Sequence, residues 1–113
     1  MAQFEFNEFG ACTNPNKYGT DWRNKIETAQ RQDGKWVFGI SMQFDTPDME
    51  SRSFAASLTE KEAYETERDA AMAAIQHICN SANKRFPRGD PGRKSIDDCI
   101  EYVFDKFNQL TLF

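Results

Sequence analysis

The feature that most constrains the fold is an alternation of large apolar side chains with mostly smaller or polar ones between residues 36 and 45. Because successive side chains of a β-strand point to opposite faces, this period of two predicts a strand with one buried face. Asp33 and Gly34 precede the run, and an Asp-Gly pair tolerates the positive φ angles that tight hairpin turns require. Strands near 22–31 and 35–45 are therefore predicted to pair. The alternating apolar positions are Trp36, Phe38, Ile40, Met42 and Phe44.

A second alternating run predicts a third strand. Pro47 and Asp48 end the preceding strand, since proline cannot donate to a ladder and aspartate favours turns. Phe54 and Leu58 then fall on alternate positions of a run from 51 to 58, which is predicted to return beside the second strand. Residues 1–9 alternate only briefly and predict a short strand or arm.

Two helices are predicted after the strands. Thr59 and Glu62 have the spacing of a capping box, so the first helix is expected to begin at Glu60 and to run to about residue 84. Two prolines and two glycines between 86 and 92 must end it. Ser95 and Asp98 repeat the capping spacing, and an apolar stripe at helical intervals predicts a second helix near 96–108.

The predicted fold class is α+β, an antiparallel β-meander of three or four strands followed by two α-helices packed on one face. A chain of 113 residues is long enough to bury one core, so we expect a single domain over 1–108 and a tail peptide over 109–113. The predicted core consists of Trp36, Phe38, Ile40, Phe44, Phe54, Leu58, Ile75, Ile78, Val103 and Phe107.

Composition narrows the functional classes. Eighteen acidic and 14 basic side chains give a formal charge of −4, which argues against a general polyanion binder because such proteins cluster Lys and Arg. Cys12, Cys79 and Cys99 form no CxxC pair, so reduced thiols are expected, without a disulfide scaffold or a zinc site. The chain opens without a basic stretch followed by an apolar run and lacks a span of about 20 apolar residues, so a cytoplasmic protein is expected.

The last five residues, Gln109-Leu110-Thr111-Leu112-Phe113, carry the strongest functional signal. They resemble the pentapeptide Gln-Leu-Ser/Asp-Leu-Phe by which bacterial polymerases, repair proteins and initiation regulators dock onto the DNA polymerase sliding clamp. The resemblance implies a largely extended peptide in which Gln109 is a polar anchor and Leu110 a supporting contact. It implies that Leu112 and Phe113 fill an apolar cleft on the clamp. Thr111 departs from the commonest Ser or Asp but is conservative relative to Ser.

An intramolecular role for the same residues stays open. Leu110 continues the helical stripe that ends with Phe104 and Phe107, so it could simply extend the second helix. Leu112 and Phe113 could then lie in the core or close the sheet as an added strand.

A basic loop supplies the second functional candidate. Five cations lie within eleven residues beside one acid, Asp90, and arginine forks match phosphate oxygens. Phe86 could stack on a base. The alternative is solvated charge near the carboxyl end of a helix, where cations are favoured. The candidate phosphate contacts are Lys84, Arg85, Arg88, Arg93 and Lys94.

An enzymatic role has little support in the sequence. His77 precedes Cys79 by two residues, which directs their side chains about 200° apart around a helix. A Cys–His pair would have to join His77 to Cys12 or Cys99 across the fold, and buried structural cysteines are commoner than catalytic ones. Three acids at spacings of three and four could hold a cation weakly but are interpreted as a solvated face: Glu62, Glu65 and Asp69.

The sequence thus favours a small non-enzymatic accessory or regulatory protein, bacterial or carried by a phage or plasmid, that docks on the sliding clamp. No catalytic residue, cofactor or metal is expected. A nucleic-acid-binding module using loop 84–94 is the alternative, and a small enzyme of unknown chemistry comes third. Oligomeric state stays open.

Overall fold

A computed structural model describes residues 4–109 of the chain. Within this range four strands form one antiparallel sheet in the order β1-β2-β3-β4, and two helices follow. The predicted α+β meander with two carboxyl-terminal helices is therefore confirmed. The elements are β1 Asn16–Gly19, β2 Lys25–Gln30, β3 Trp36–Gln43, β4 Ser51–Phe54, α1 Glu67–Asn83 and α2 Lys94–Gln109, with a 3-10 turn at Pro91–Arg93.

The predicted hairpin is the centre of the sheet. β2 and β3 pair antiparallel, with Gln30 opposite Trp36 and Lys25 opposite Ser41. Gly34 has a φ of 88°, a conformation that glycine adopts without the penalty a Cβ would bring. The turn signal at Asp33-Gly34 therefore marked the reversal correctly. β1 was not predicted as a strand, because turn-forming residues dominate the sequence just before it.

The first helix begins seven residues later than predicted. Its N-cap is Thr66, whose Oγ1 accepts a hydrogen bond from the Asp69 backbone amide at 3.1 Å. Residues ahead of it are held extended, since Tyr64 and Trp36 exchange two backbone hydrogen bonds of 2.8 and 2.7 Å. The predicted start at Glu60 is wrong because pairing with the sheet edge competes successfully with an earlier helical turn.

The main core lies between the sheet and both helices. α1 lies over β2 and β3, while α2 packs beside α1 and against β1. Five of the predicted core residues are buried here: Ile40, Phe44, Ile78, Val103 and Phe107. Phe38, Phe54 and Ile75 are partly buried at its margin. Leu58 was predicted wrongly, because the chain has left the sheet before residue 58 and the side chain is 45% exposed.

The opposite face of the sheet carries a second, smaller cluster. Val37 and Ala29 are fully buried there with Ala56 and Cys12. The amino-terminal segment covers them, since the Cys12 amide donates to the Ala56 carbonyl at 2.8 Å. Trp36 is only partly buried and contacts Phe4 edge to face at 5.8 Å. The prediction that β3 buries only one face is therefore wrong at its start, where Val37 is buried on the opposite face.

Neither helix within residues 4–109 has the combination of length and hydropathy that a bilayer crossing requires.

Candidate functional sites

The tail peptide lies almost wholly beyond the described residues. Leu110, Leu112 and Phe113 are outside them, and Gln109 is the final residue of α2. Just before it, Asn108 Oδ1 accepts a hydrogen bond from Arg68 Nη2 of α1 at 3.0 Å. The preceding turn is fixed by Phe107, which is buried and contacts the Tyr18 ring edge to face at 5.0 Å. The domain therefore holds α2 firmly up to the residue where the motif begins.

The basic loop contains one arginine that is part of the core. Arg93 is 0% exposed and connects the end of α1 to the start of α2. Its Nε donates to Asp97 Oδ1 at 2.9 Å, and Nη1 donates to Asn83 Oδ1 at 2.6 Å and to the Phe86 carbonyl at 3.0 Å. Arg93 is one of the predicted phosphate contacts, but in this arrangement no part of its side chain reaches solvent.

Two further cations of the loop are engaged by neighbouring acids. Arg85 Nη1 lies 2.5 Å from Glu50 Oε2, and Nη2 lies 3.1 Å from Asp48 Oδ2. The Arg85 guanidinium also lies over the rings of Phe44 and Phe86, at 5.2 and 5.1 Å from their centroids. Lys94 Nζ is 3.0 Å from Asp98 Oδ2 one helical turn later.

Three cations of the predicted set are solvent-exposed. They are Lys84, Arg88 and Lys94, and Lys94 is paired with Asp98. The structure thus brings the five cations into one region but engages three of them, Arg85, Arg93 and Lys94, in intramolecular contacts. Three exposed cations, one of them paired with Asp98, beside several carboxylates give a weaker phosphate-binding surface than the sequence suggested. The hypothesis of nucleic-acid binding remains untested, with less support from geometry.

A groove between α1, the end of β4 and the following segment was not predicted. Its volume is about 730 Å³. Phe38 of β3 contributes one ring, and its centroid lies 5.8 Å from that of Phe54 and 6.2 Å from those of Tyr64 and His77. Phe54 and His77 meet nearly perpendicular at 5.2 Å. We call this the aromatic groove; its polar rim consists of Ser57, Thr59, Glu60, Lys61 and Glu62.

The aromatic groove exists because the chain leaves the sheet edge and then returns to it. β4 pairs with β3 as far as Phe54 opposite Ile40, and backbone pairing with β3 resumes where Tyr64 meets Trp36. Residues 54–56 pass close to Gly39, where an added Cβ would lie 2.5 Å from backbone atoms of residues 54 and 56. The glycine therefore permits this close passage of the chain after β4.

The rim of the groove carries more negative than positive side chains. The Tyr64 hydroxyl donates to Glu62 Oε2 at 3.1 Å. Burial, together with this hydrogen bond and the charges of Glu62 and Glu60, raises the pKa of Tyr64. Lys61 is the one cation among the rim residues named above, so the two carboxylates outnumber it.

Other acids near the start of α1 have structural partners. Glu67 Oε2 accepts from Asn16 Nδ2 at 2.8 Å, from the Tyr18 hydroxyl at 2.8 Å and from Thr28 Oγ1 at 2.6 Å. These bonds attach the helix to β1 and β2. Glu65 forms an ion pair with Lys35. Among residues 4–109, no group of three or more His, Cys, Asp or Glu side chains is arranged to hold a metal ion.

The histidine and the cysteines occupy different environments. His77 is exposed and belongs to the aromatic groove. Cys99 is buried in the main core, where burial and the nearby charge of Asp21 raise the pKa of its thiol to about 12. Burial also raises the pKa of Cys12, so both groups are protonated thiols at neutral pH. Neither has the lowered pKa that an activated cysteine nucleophile needs.

Comparison with known proteins gives no relationship from which to transfer a function: no protein-family model, curated protein or solved structure matches this chain.

Proposed function

We propose that this chain is a non-enzymatic accessory protein of DNA replication that docks on the DNA polymerase sliding clamp through residues 109–113. The observation that carries the proposal is the sequence Gln109-Leu110-Thr111-Leu112-Phe113, which has four residues of the clamp-binding pentapeptide in order.

The position of the motif relative to the domain supports the proposal. Asn108 is bonded to Arg68, and Phe107 fills the core against Tyr18. Within the described chain, Phe107 is the final buried residue, so the described side chains that hold α2 in place precede the motif. A partner could therefore take up the pentapeptide without removing Phe107 or breaking the Arg68–Asn108 hydrogen bond.

Gln109 can leave its helical conformation and join an extended bound peptide at a small cost in free energy. Gln109 is the last residue of α2, and the final carbonyls of a helix have no intrahelical partner. Releasing one terminal residue gives up a single turn-closing hydrogen bond, which contributes about 0.5–1.5 kcal/mol. An apolar contact by Leu112 and Phe113 can offset this, because buried aromatic and aliphatic anchors dominate such interfaces.

The expected affinity is micromolar. A short peptide that must be ordered on binding gives up part of its interaction energy, so a free energy near −8 kcal/mol is reasonable. The negative charge of the protein favours a partner reached through protein contacts over one reached through DNA phosphates.

The direct experiment compares the whole chain with a chain that ends at Asn108. Each is used to displace a fluorescent consensus peptide, Gln-Leu-Ser-Leu-Phe, from a purified bacterial sliding clamp. Displacement by the whole chain in the micromolar range, and none by the shortened chain, is the expected result. Equal displacement by both chains, or none by either, removes the hypothesis.

A further inference from the structure

We propose that the aromatic groove binds the cationic side chain of an arginine or lysine in an extended segment of a partner protein. The proposal concerns a surface formed by β3, β4, α1 and the segment before α1, and it does not rest on clamp docking. It starts from the four rings of Phe38, Phe54, Tyr64 and His77, which come from four separate parts of the chain and converge on one opening.

The ring arrangement suits a cation. The ring planes are inclined to one another by 38° to 82°. Inclined rings present both faces and edges to the space they border, and the negative face of an aromatic ring attracts an ammonium or guanidinium group. His77 is exposed and the groove has a volume of about 730 Å³, so a side chain from another molecule can reach the rings.

The rim provides the complementary charge. Glu62 Oε2 accepts a hydrogen bond from the Tyr64 hydroxyl at 3.1 Å, and the Glu62 side chain is solvent-exposed, so its second carboxylate oxygen can accept a hydrogen bond from a ligand. Glu60 lines the same opening and acts on the Tyr64 hydroxyl through its charge. A guanidinium that reached the rings would therefore meet carboxylate oxygens at the mouth of the groove, which is the donor and acceptor match that arginine favours.

The dimensions indicate a peptide segment as the source of the cation. A volume of about 730 Å³ lies within the range of ligand sites that hold groups larger than one amino-acid side chain. The Ser57 and Thr59 hydroxyls hydrogen-bond to each other at 2.9 Å on the rim. The oxygen lone pairs that this bond leaves can accept hydrogen bonds from the amides of a passing main chain. The rings then select the side chain, while the rim holds the backbone on either side of it.

The test uses fluorescein-labelled peptides Gly-Ser-Gly-X-Gly-Ser-Gly, in which X is arginine, lysine or norleucine, and measures anisotropy on titration with the whole protein. Norleucine keeps the aliphatic chain of lysine without its charge. The proposal predicts that the arginine or lysine peptide binds at submillimolar concentration and that the norleucine peptide binds at least tenfold more weakly. Equal binding of charged and uncharged peptides, or no binding by any of them up to millimolar protein, overturns it.

Two variants locate the binding. Glu62→Gln removes one rim charge, and Phe54→Leu keeps apolar bulk while removing a ring; each should weaken the charged peptides about 3- to 30-fold, in line with the strength of cation–π and exposed charge contacts. Tyr102→Ala is the matched control, because Tyr102 is an exposed aromatic on α2, away from the groove. Circular dichroism verifies that each variant is folded. Unchanged binding in both groove variants, or a loss in Tyr102→Ala of the same size, contradicts the assignment.

Discussion

Replacing Arg93 by alanine should destabilise the domain by about 3–5 kcal/mol, the loss expected when one member of a buried ion pair is removed. The side chain is fully buried, and three hydrogen bonds of 2.6 to 3.0 Å join it to Asp97, Asn83 and the Phe86 carbonyl. Without the guanidinium, three acceptors lose their donor and a cavity forms between the two helices. Since small domains have a total stability of about 5–15 kcal/mol, the change is a large fraction of the whole.

Guanidinium chloride unfolding, followed by tryptophan fluorescence and circular dichroism, measures this loss. Arg88→Ala is the control, because Arg88 is an exposed arginine of the same loop and should change stability by less than about 0.5 kcal/mol. If Arg93→Ala is too unstable to purify, Arg93→Lys keeps the charge without the planar fork and should retain a measurable but reduced transition. Wild-type-like stability of Arg93→Ala would refute the reasoning and return Arg93 to the surface as a candidate phosphate contact.

Three other predictions follow from particular positions. Thr66→Ala should lower the free energy of unfolding by about 1 kcal/mol through loss of the N-cap, whereas Thr59→Ala should lower it much less. Equal losses in chemical denaturation would contradict a helix start at Thr66. Gly39→Ala should cost about 1–3 kcal/mol in the same assay, because its Cβ would lie 2.5 Å from neighbouring backbone, and a neutral result would exclude the close passage. Burial raises the pKa of Cys99 from 9.0 to about 12, so the unfolded chain loses this proton first and stability should fall as pH rises from 9 towards 12, by up to about 1.4 kcal/mol per pH unit. Stability measured from pH 8 to 10.5 under reducing conditions should fall less steeply in Cys99→Ala, and identical slopes would contradict the burial of the thiol.

The meander could be predicted because its signals are local. The period of two in β3 and the Asp33-Gly34 turn depend only on neighbouring residues, and both correspond to the observed hairpin. The start of α1 could not be fixed in the same way, since Thr59 and Thr66 both offer an N-cap. The choice between them depends on the long-range pairing of Tyr64 with Trp36, which no local pattern contains.

The basic loop shows that burial decides whether a charged side chain can contact a ligand. A run of cations in sequence indicates a phosphate site only if the side chains face solvent. The four-residue spacing of Arg93 and Asp97 could have indicated an ion pair between the 3-10 turn and the first turn of α2. Arg85 pairs with Asp48 and Glu50, which lie more than thirty residues earlier in the chain. These partners could be identified only from the fold.

The aromatic groove could not be predicted from the sequence for a related reason. Phe38 and Phe54 were predicted as core, because alternation shows which face of a strand a side chain occupies but not whether a helix covers it. α1 lies over β2 and β3, so the side of the sheet near β4 is less covered. His77 was weighed only as a catalytic group, and its neighbours on the sheet were not apparent from its place in a helix.

The most direct test of the clamp-docking proposal is the affinity of point variants in the tail for a purified bacterial sliding clamp, measured by calorimetry with the full-length chain. Leu112→Ala and Phe113→Ala should each weaken a micromolar complex by about 30-fold or more, as removal of an interface anchor does. Phe104→Ala, which alters an exposed aromatic of α2, should leave the affinity unchanged. Wild-type affinity in both tail variants, or failure of the unmodified chain to bind while a consensus pentapeptide does, would contradict the proposal.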